Sequence, residues 1–327
     1  MNIYQKLKQE LGDRLKKDEV LAPYTTFKIG GPAAYFYSAK NDEDFIKAVK
    51  IAKKLNIPYL ILGGGSNLLI SDKGFSGLVI KKENNIYSRD FKIIENKIIT
   101  GSQVKLSVLV EASAESGLTG LEWAAGIPGT VGGAVRGNAG AYGKQMSDVV
   151  KTVKALCDLG EGKFLEKIYT NQEAMFFYRS SIFKKFKKCV ILSVEIELEK
   201  GDKKEIKKTI EKILNLRKKS SAPQYPSAGC IFKNPVVKNK KLIQEFQKDT
   251  GKKIHSDKVP AGYLIDRLGL KSKKIGGAMI SDKNANFILN IGNATAEDVI
   301  ILISFIKQQV RDKYGIQLEE EVELVGF

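Results

Sequence analysis

Two glycine-rich segments concentrate the chemistry that this 327-residue sequence could perform. The first, Gly63-Gly64-Gly65-Ser66-Asn67, follows the apolar strand pattern of residues 58–62. Adjacent glycines let a backbone curl until successive N–H groups face one anion, and Ser66 and Asn67 add side-chain hydrogen bonds. No Gly-Lys-Ser/Thr follows, so this is not a Walker loop, and the G-x-G-x-x-G spacing of the dinucleotide fingerprint is missing. Alone, such a run is better read as a plain tight turn. The second segment changes that reading: Gly126-Ile127-Pro128-Gly129-Thr130-Val131-Gly132-Gly133, then Gly137-Asn138-Ala139-Gly140 and Tyr142-Gly143, with Arg136 its one charge. Loops of this length inside a compact domain are functional or disordered, and the apolar Ile127, Val131, Ala134 and Val135 argue against disorder. Together the segments describe a backbone surface shaped around a large, flat, phosphate-bearing cofactor.

The elements that must position these loops alternate in period. Ile3, Leu7, Leu11 and Leu15 share one face of an opening helix. A short strand covers 34–38, and Asn41-Asp42-Glu43-Asp44 begins a helix with acids in its first turn. A strand at 78–81, a hairpin at 91–100 turning at Glu95-Asn96, and a helix at 106–116 ending near Gly117 follow. Residues 126–143 show neither helical nor strand period. A second hairpin pairs 149–157 with 163–168. Next come a short helix at 172–177, a strand at 190–197 and an amphipathic helix at 205–216, with Ile206, Ile210, Ile213 and Leu214 on one face. The Pro/Ser-rich stretch 220–227 is the boundary between cofactor and substrate portions. Thr295-Ala296-Glu297-Asp298 has capping-box form and opens a helix running to Gly315; a final strand spans 316–325. Helices interleaved with hairpins give an α+β class rather than a regular βαβ array.

Composition narrows the function classes. Hydrophobic residues at 43% and charged residues at 28% describe a globular chain, not a disordered one. Lys+Arg 54 against Asp+Glu 37 gives a net charge of +17, which raises the possibility of a nucleic-acid binder. The basic residues are spread over helix faces such as 205–219 and 238–253, however, and no base-stacking aromatics interleave with them on one arm. No nucleic-acid partner is therefore expected. Three cysteines without CxxC pairing argue against a disulfide framework, and Cys157 and Cys189 lie in apolar runs as core residues. No signal-peptide core opens the chain, and no apolar run approaches the about 18 residues of a membrane span. The expectation is a cytoplasmic protein without a membrane partner and without a metal site.

Seven motifs in order carry a resemblance. They are Thr25-Thr26-Phe27-Lys28-Ile29-Gly30-Gly31-Pro32, Leu62 to Leu68, Gly126 to Gly133, Gly137 to Gly143, Tyr178-Arg179-Ser180-Ser181-Ile182-Phe183, Ser227-Ala228-Gly229-Cys230-Ile231-Phe232-Lys233-Asn234-Pro235, and Leu318-Glu319-Glu320-Glu321-Val322. The set resembles the UDP-N-acetylenolpyruvoylglucosamine reductase (MurB) family of peptidoglycan synthesis, from about Ala22 to Phe327. The short passage from Phe183 to the strand at 190 is similar to the subtype lacking a substrate-covering tyrosine loop. The resemblance implies a two-part FAD-binding domain of the vanillyl-alcohol-oxidase (PCMH) type, subdomains 1–80 and 81–200 with the FAD-binding region at about 27–192. A smaller C-terminal α+β substrate domain then covers 201–327. It also implies a monomer with non-covalent FAD that takes hydride from NADPH and reduces the enolpyruvyl group of UDP-N-acetylglucosamine. The chain departs from the family pattern at Cys230, where relatives carry serine, at Asn284, where histidine or glutamine is expected, and at Glu320, which replaces a proline.

The resemblance assigns cofactor binding to Gly63, Gly64, Gly65, Ser66, Asn67, Gly126, Ile127, Pro128, Gly129, Thr130, Gly132, Gly133, Asn138, Ala139 and Gly140. Hydride addition at C3 of a vinyl ether carboxylate leaves enolate character at C2 and the carboxylate, which must be stabilised and protonated. Arg179, able to grip a carboxylate with two parallel hydrogen bonds, is the stabiliser. Cys230 is the acid, an ordinary thiol with pKa about 8.5 being suited to proton donation; otherwise it is a small core residue. Glu321 polarises the enolate carboxyl or positions the donor, although strict alternation of Ile316, Leu318, Val322 and Leu324 puts Glu320 on the apolar face unless a bulge intervenes. Tyr142, Tyr178, Lys218, Asn234 and Asn284 are the nucleotide-sugar contacts, with Arg217 and Lys219 competing with Lys218 for phosphate. His255 is read as solvated and idle. The competing enzyme reading is another non-covalent FAD oxidoreductase of this fold acting on an alcohol or sugar. No histidine precedes position 255, so a covalent histidyl link in the cofactor loops is impossible.

Overall fold

Among the described residues, the buried apolar side chains gather into three clusters. The computed structural model describes residues 2–83, 90–186, 188–220, 222, 224–254 and 257–327. His255 lies outside them. Two packing units divide the chain: Met1–Glu19, Ala33–Gly64 and Ser76–Arg217 form one, and Val20–Pro32, Gly65–Phe75 and Lys218–Phe327 the other.

Among the described residues, the first unit holds two larger sheets and two two-stranded ones. In one of the larger sheets, the strands run in the order Leu15–Val20, Pro32–Ala39, Phe75–Lys82, Tyr59–Ile61, with Tyr59 opposite Leu78 in parallel register. Helices Ile3–Leu11 and Asp42–Lys54 bury Leu7, Leu11, Phe45 and Val49 in a cluster with Tyr37, Leu78 and Ile80. Asn41 starts the second helix by accepting the Asp44 N–H at 2.8 Å. The other larger sheet is antiparallel, in the order Lys163–Thr170, Val150–Gly160, Cys189–Glu197, Lys97–Gly101, Phe91–Ile94. Helix Leu106–Glu115 and the turn around Trp123 pack against it. Each fully buried leucine or valine there contributes about 1.5–3 kcal/mol.

In the second unit, helix Ala296–Tyr314 buries Val299, Leu302, Ile303 and Ile306 in a cluster that includes Ala278, Ile280 and Ile288 of a three-stranded antiparallel sheet, Lys274–Ile275, Ala278–Ile280 and Ile288–Asn290. Thr295 and Asp298 form the expected capping box, and Gly315 ends the helix at φ +66°. Strand Leu68–Ile70 pairs in parallel with Glu323–Val325. Among the described residues no helix is long and apolar enough to cross a membrane.

Several expectations are corrected. The opening helix stops at Leu11, because Gly12 at φ +72° breaks it, and Leu15 starts a strand instead. No helix forms at 172–177; a single turn there ends at Met175, φ +43°. Residues 126–143 are not without period, since Val131, Ala134 and Val135 form the buried face of a short helix, Val131–Arg136. The last strand covers only Glu323–Val325. Cys157 and Cys189 are joined by a disulfide: they face each other in register on adjacent strands, a pairing that sequence spacing does not disclose.

Candidate functional site

Strand Tyr59–Ile61 delivers the chain to Gly63 and Gly64, which have no room for a side chain. A Cβ on Gly64 would lie 2.5 Å from Gly129 Cα, and one on Gly63 would lie 2.8 Å from Thr130 Oγ1. The two glycine segments thus meet backbone to backbone. Thr130, buried, caps helix Val131–Arg136 by accepting the Gly133 N–H at 3.3 Å. Residues 102–106 clamp the same stretch. Gly132 N–H donates to Ser102 O at 2.7 Å, Val131 N–H to Val104 O at 2.9 Å, and Leu106 N–H to Gly129 O at 3.1 Å. Ile127 packs beside the core cluster, whereas Gly126 and Pro128 are exposed.

The remaining first-loop residues belong to the second unit. Gly65, at φ +60°, accepts the Thr26 N–H at 3.1 Å. Asn67 spends its side-chain Nδ2 on Glu321 O at 2.9 Å and its own carbonyl on Glu323 N–H at 2.9 Å. Ser66, half-buried, sits between them.

Whether these residues fit a dinucleotide can be tested on two features. Gln103, inside the clamp, is only 6% exposed, yet its Oε1 has no hydrogen-bond partner among the described residues. Such a buried acceptor requires a donor from elsewhere. Lys81 Nζ donates to Gly63 O at 3.1 Å, and burial, then the charge of Lys105, hold its pKa below the ordinary lysine value. A buried acceptor and a cation beside two glycine loops suit an extended ligand with both hydrogen-bond donors and phosphates. FAD is such a ligand.

Arg179 sits at the tip of a tight turn in which Phe177 and Ser180 exchange backbone hydrogen bonds of 2.9 and 3.1 Å. Its φ is +57°, a left-handed conformation that costs a non-glycine residue of order 1 kcal/mol and persists where surroundings impose it. The guanidinium lies 5.3 Å from the Tyr178 ring centroid. The constraint comes from the glycine segment. Asn138, fully buried, donates through Nδ2 to Phe177 O at 3.0 Å and Gln145 Oε1 at 3.1 Å, and its Oδ1 accepts Ser147 N–H at 3.0 Å. Ser181 Oγ donates to Arg136 O at 2.7 Å. Asn138 therefore ties the cofactor segment to the Tyr178-Arg179 turn, and both its amide donors are used inside the protein. Ala139 and Gly140 continue from it into the short strand Gly140–Ala141. Tyr142 stands exposed at φ +54°, with the Arg217 guanidinium 5.5 Å from its ring centroid. Arg217 Nη2 also reaches Trp123 O at 3.5 Å. Lys218, one residue on along the helix, is exposed.

Cys230 and Glu321 come together in the second unit on one pair of extended segments. Cys230 bridges Phe287, Phe232 bridges Glu320, and Lys233 N–H donates to Glu319 O at 2.9 Å. The N–H groups of both Glu321 and Val322 point at Ile231 O, at 2.7 and 3.4 Å. Two residues facing one is bulge geometry, and it breaks the strict alternation. Glu320 is paired with Lys307 Nζ at 2.7 Å and Glu319 with Lys233 at 3.1 Å. Cys230 is half-buried and outside the disulfide. Asn234 Oδ1 accepts the Ala261 N–H at 3.1 Å. Asn284 Oδ1 accepts the Asn286 N–H at 3.1 Å.

Sequence reasoning passed over Asn286, 4% exposed. Its Oδ1 accepts Phe232 N–H at 2.9 Å, its Nδ2 donates to Phe232 O at 2.8 Å, and its carbonyl accepts Ile231 N–H at 2.8 Å. It fixes the segment carrying Cys230. Its signal was the repeated amide of Asn284-Ala285-Asn286, a composition that favours the turn formed there, in which Asn284 Oδ1 accepts the Asn286 N–H. Gln103 and Lys81 carried no motif at all.

The family model for an FAD binding domain matches residues 32–166, and that for the UDP-N-acetylenolpyruvoylglucosamine reductase C-terminal domain matches 221–325. The UDP-N-acetylenolpyruvoylglucosamine reductase of Anoxybacillus flavithermus is 39% identical over 326 residues, covering 98% of this chain and 99% of its own. That of Lachnoclostridium phytofermentans is 38% identical, covering 99% and 97%. The crystal structure of the Thermus caldophilus reductase aligns at a TM-score of 0.73 and 33% identity, over 95% of this chain and 99% of that one. With an FAD-binding fold in its first half and relatives that match along its whole length, the chain belongs to the UDP-N-acetylenolpyruvoylglucosamine reductase (MurB) family of FAD-containing oxidoreductases.

Proposed function

We propose that this chain reduces enolpyruvyl-UDP-N-acetylglucosamine to UDP-N-acetylmuramate for peptidoglycan synthesis, using NADPH and FAD held non-covalently on its two glycine segments. The observation that carries this reading is the close approach of Gly64 to the Gly129 backbone and of Gly63 to the Thr130 side chain, beside Lys81 and a Gln103 Oε1 that has no partner among the described residues, in a chain of this family. The functional division is an FAD-binding part, 1–80 and 81–200, followed by a substrate part, 201–327. The protein acts as a cytoplasmic monomer.

FAD, when bound, supplies at C3 of the enolpyruvyl group the hydride taken from NADPH. Arg179 grips the substrate carboxylate with parallel N–H bonds and opposes the negative charge that develops at C2 and the carboxylate. The Cys230 Sγ–H gives its proton to C2, so that one hydride and one proton saturate the double bond; water reprotonates the thiolate. Glu321 polarises the carboxyl or aims the donor. Tyr142, Tyr178, Lys218, Asn234 and Asn284 hold the nucleotide sugar. Asn284 has its Oδ1 engaged with the Asn286 N–H, so its Nδ2 is the donor offered to sugar or carbonyl oxygens.

The test is direct. Purified protein should be yellow, release all flavin as FAD on acid precipitation, and consume NADPH when enolpyruvyl-UDP-N-acetylglucosamine is added. A flavoprotein that oxidises an alcohol or sugar but ignores the enolpyruvyl substrate would overturn the reading, as would a colourless protein that cannot be reconstituted.

A further inference from the structure

We infer that Lys81, seconded by Lys105, supplies the counter-charge for the diphosphate of the cofactor; this rests on the FAD reading above. Lys81 stands near the end of strand Phe75–Lys82, half-buried, with Nζ 3.1 Å from Gly63 O. That bond uses one of three ammonium protons and leaves two donors. Lys105 bridges Thr130 through the backbone, immediately before helix Leu106–Glu115. Gly63 in turn abuts Thr130, and Gly64 abuts Gly129. Both lysines therefore belong to the place where the two glycine segments touch.

Charge balance separates Lys81 from its neighbour. Lys82 is compensated twice, by Asp42 at 2.8 Å and Asp90 at 3.2 Å. Among the described residues no carboxylate pairs with Lys81. Its burial and the like charge of Lys105 both disfavour its ammonium form. A partly desolvated cation facing a second cation, with no acid between them, is costly in the protein alone. A diphosphate diester carries the two negative charges that would relieve it, and glycine backbones beside it let phosphate oxygens approach. The alternative role is a clamp: Lys81 holds Gly63 O and thereby the loop. A diphosphate could also come from the nucleotide sugar instead of the cofactor.

Binding measurements on apoprotein separate these roles. Lys81→Met should weaken FAD about 10- to 100-fold, the loss of one charge-assisted contact. Riboflavin, which has no phosphate, and UDP should bind as to the wild type. Lys81→Arg should restore most FAD affinity. Lys105→Met should weaken FAD less, since Lys105 is exposed. The melting temperature of Lys81→Met apoprotein should hold or rise, because an uncompensated charge is gone. Riboflavin weakened in parallel with FAD, together with a lower melting temperature, would identify a clamp and overturn the inference. Weakened UDP with unchanged FAD would overturn the assignment to the cofactor. Wild-type protein that binds no FAD would instead sink the cofactor reading itself, a result separable from any Lys81 effect.

Discussion

Cys230 follows Gly229, which holds φ +76°, and the next two residues are bonded to Asn286. A change at Sγ alone should thus leave the segment in place. Cys230→Ala is expected to accept electrons from NADPH normally, seen as bleaching of the flavin absorbance, but to be reoxidised by the enolpyruvyl substrate at least about 100-fold more slowly. Cys230→Ser should recover much of that rate. Reoxidation of the alanine variant at wild-type speed would make Cys230 a packing residue. Arg179→Lys, which keeps the charge but loses the fork, should likewise slow only reoxidation; equal slowing of both half-reactions would assign Arg179 to the fold or cofactor. The acids divide on geometry. Glu320 is already committed to Lys307, so Glu320→Gln should cost about 0–1 kcal/mol of stability and little rate, whereas Glu321→Gln should reduce turnover. The reverse pattern would return the role to Glu320. The glycine motifs and the Tyr178-to-Phe183 motif were legible as sequence, but the tight turn that carries Arg179 was not. The bulge at Glu321 was legible only as a conflict between alternation and motif, because its cause is the single carbonyl of Ile231, about 90 residues away in sequence. Asn138 looked like a cofactor contact, yet its amide binds Phe177, a partner that no local pattern announces.

Glycine loops and capped helices set the limits on change at the next scale. In Gly64→Val the added Cβ meets Gly129 Cα at 2.5 Å before any ligand. The substitution should therefore deplete FAD and also destabilise the apoprotein by about 1–3 kcal/mol, read from its denaturant midpoint; lost flavin with unchanged apoprotein stability would place the cofactor, not Gly129, against that carbon. At the start of helix Ala296–Tyr314, the Asp298 carboxylate accepts N–H groups from Thr295 at 3.0 Å and Gly277 at 3.1 Å. These bonds, Thr295 first, hold its pKa below the ordinary aspartate value. A depressed folded pKa means stabilisation that is present above the unfolded value near about 3.9 and lost as pH falls through the folded one. Asp298→Ala should cost about 1 kcal/mol at neutral pH, and its gap from wild type should narrow below about pH 4. A gap that stays constant with pH would show that the charge contributes nothing. This capping box was readable because Thr295 and Asp298 are local. The last strand was misread because Leu318 and Val322 are buried at strand spacing, whereas the stretch between them makes only the isolated Phe232–Glu320 bridge and no continuous ladder.

At the scale of the whole chain, one division between the packing units falls at Arg217/Lys218, near the Pro/Ser-rich stretch 220–227, but nothing in composition marked the segments Val20–Pro32 and Gly65–Phe75 that join the second unit. They are held by long-range bonds such as Asn290 Nδ2 to Phe27 O at 3.2 Å and Ala296 N–H to Asp72 Oδ1 at 3.0 Å. What the sequence does state for the molecule at large is its charge, +17. Many lysines are neutralised in surface pairs, Lys53 with Asp158 at 2.9 Å and Lys271 with Asp266 at 2.7 Å among them. The excess still leaves a positive field around a protein whose ligands, NADPH and a nucleotide sugar, are anions. Such a field acts on encounter more than on the bound complex. Raising ionic strength from about 0.01 M to about 1 M shortens the screening length from about 30 Å to about 3 Å. The association rate of the nucleotide sugar, followed by stopped-flow perturbation of the flavin spectrum, should then fall about tenfold or more, while its dissociation rate changes little. An association rate indifferent to salt would mean that the basic residues are too evenly dispersed to steer any ligand. A dissociation rate that carries the whole effect would place the salt-sensitive charges in direct contact with the bound phosphates.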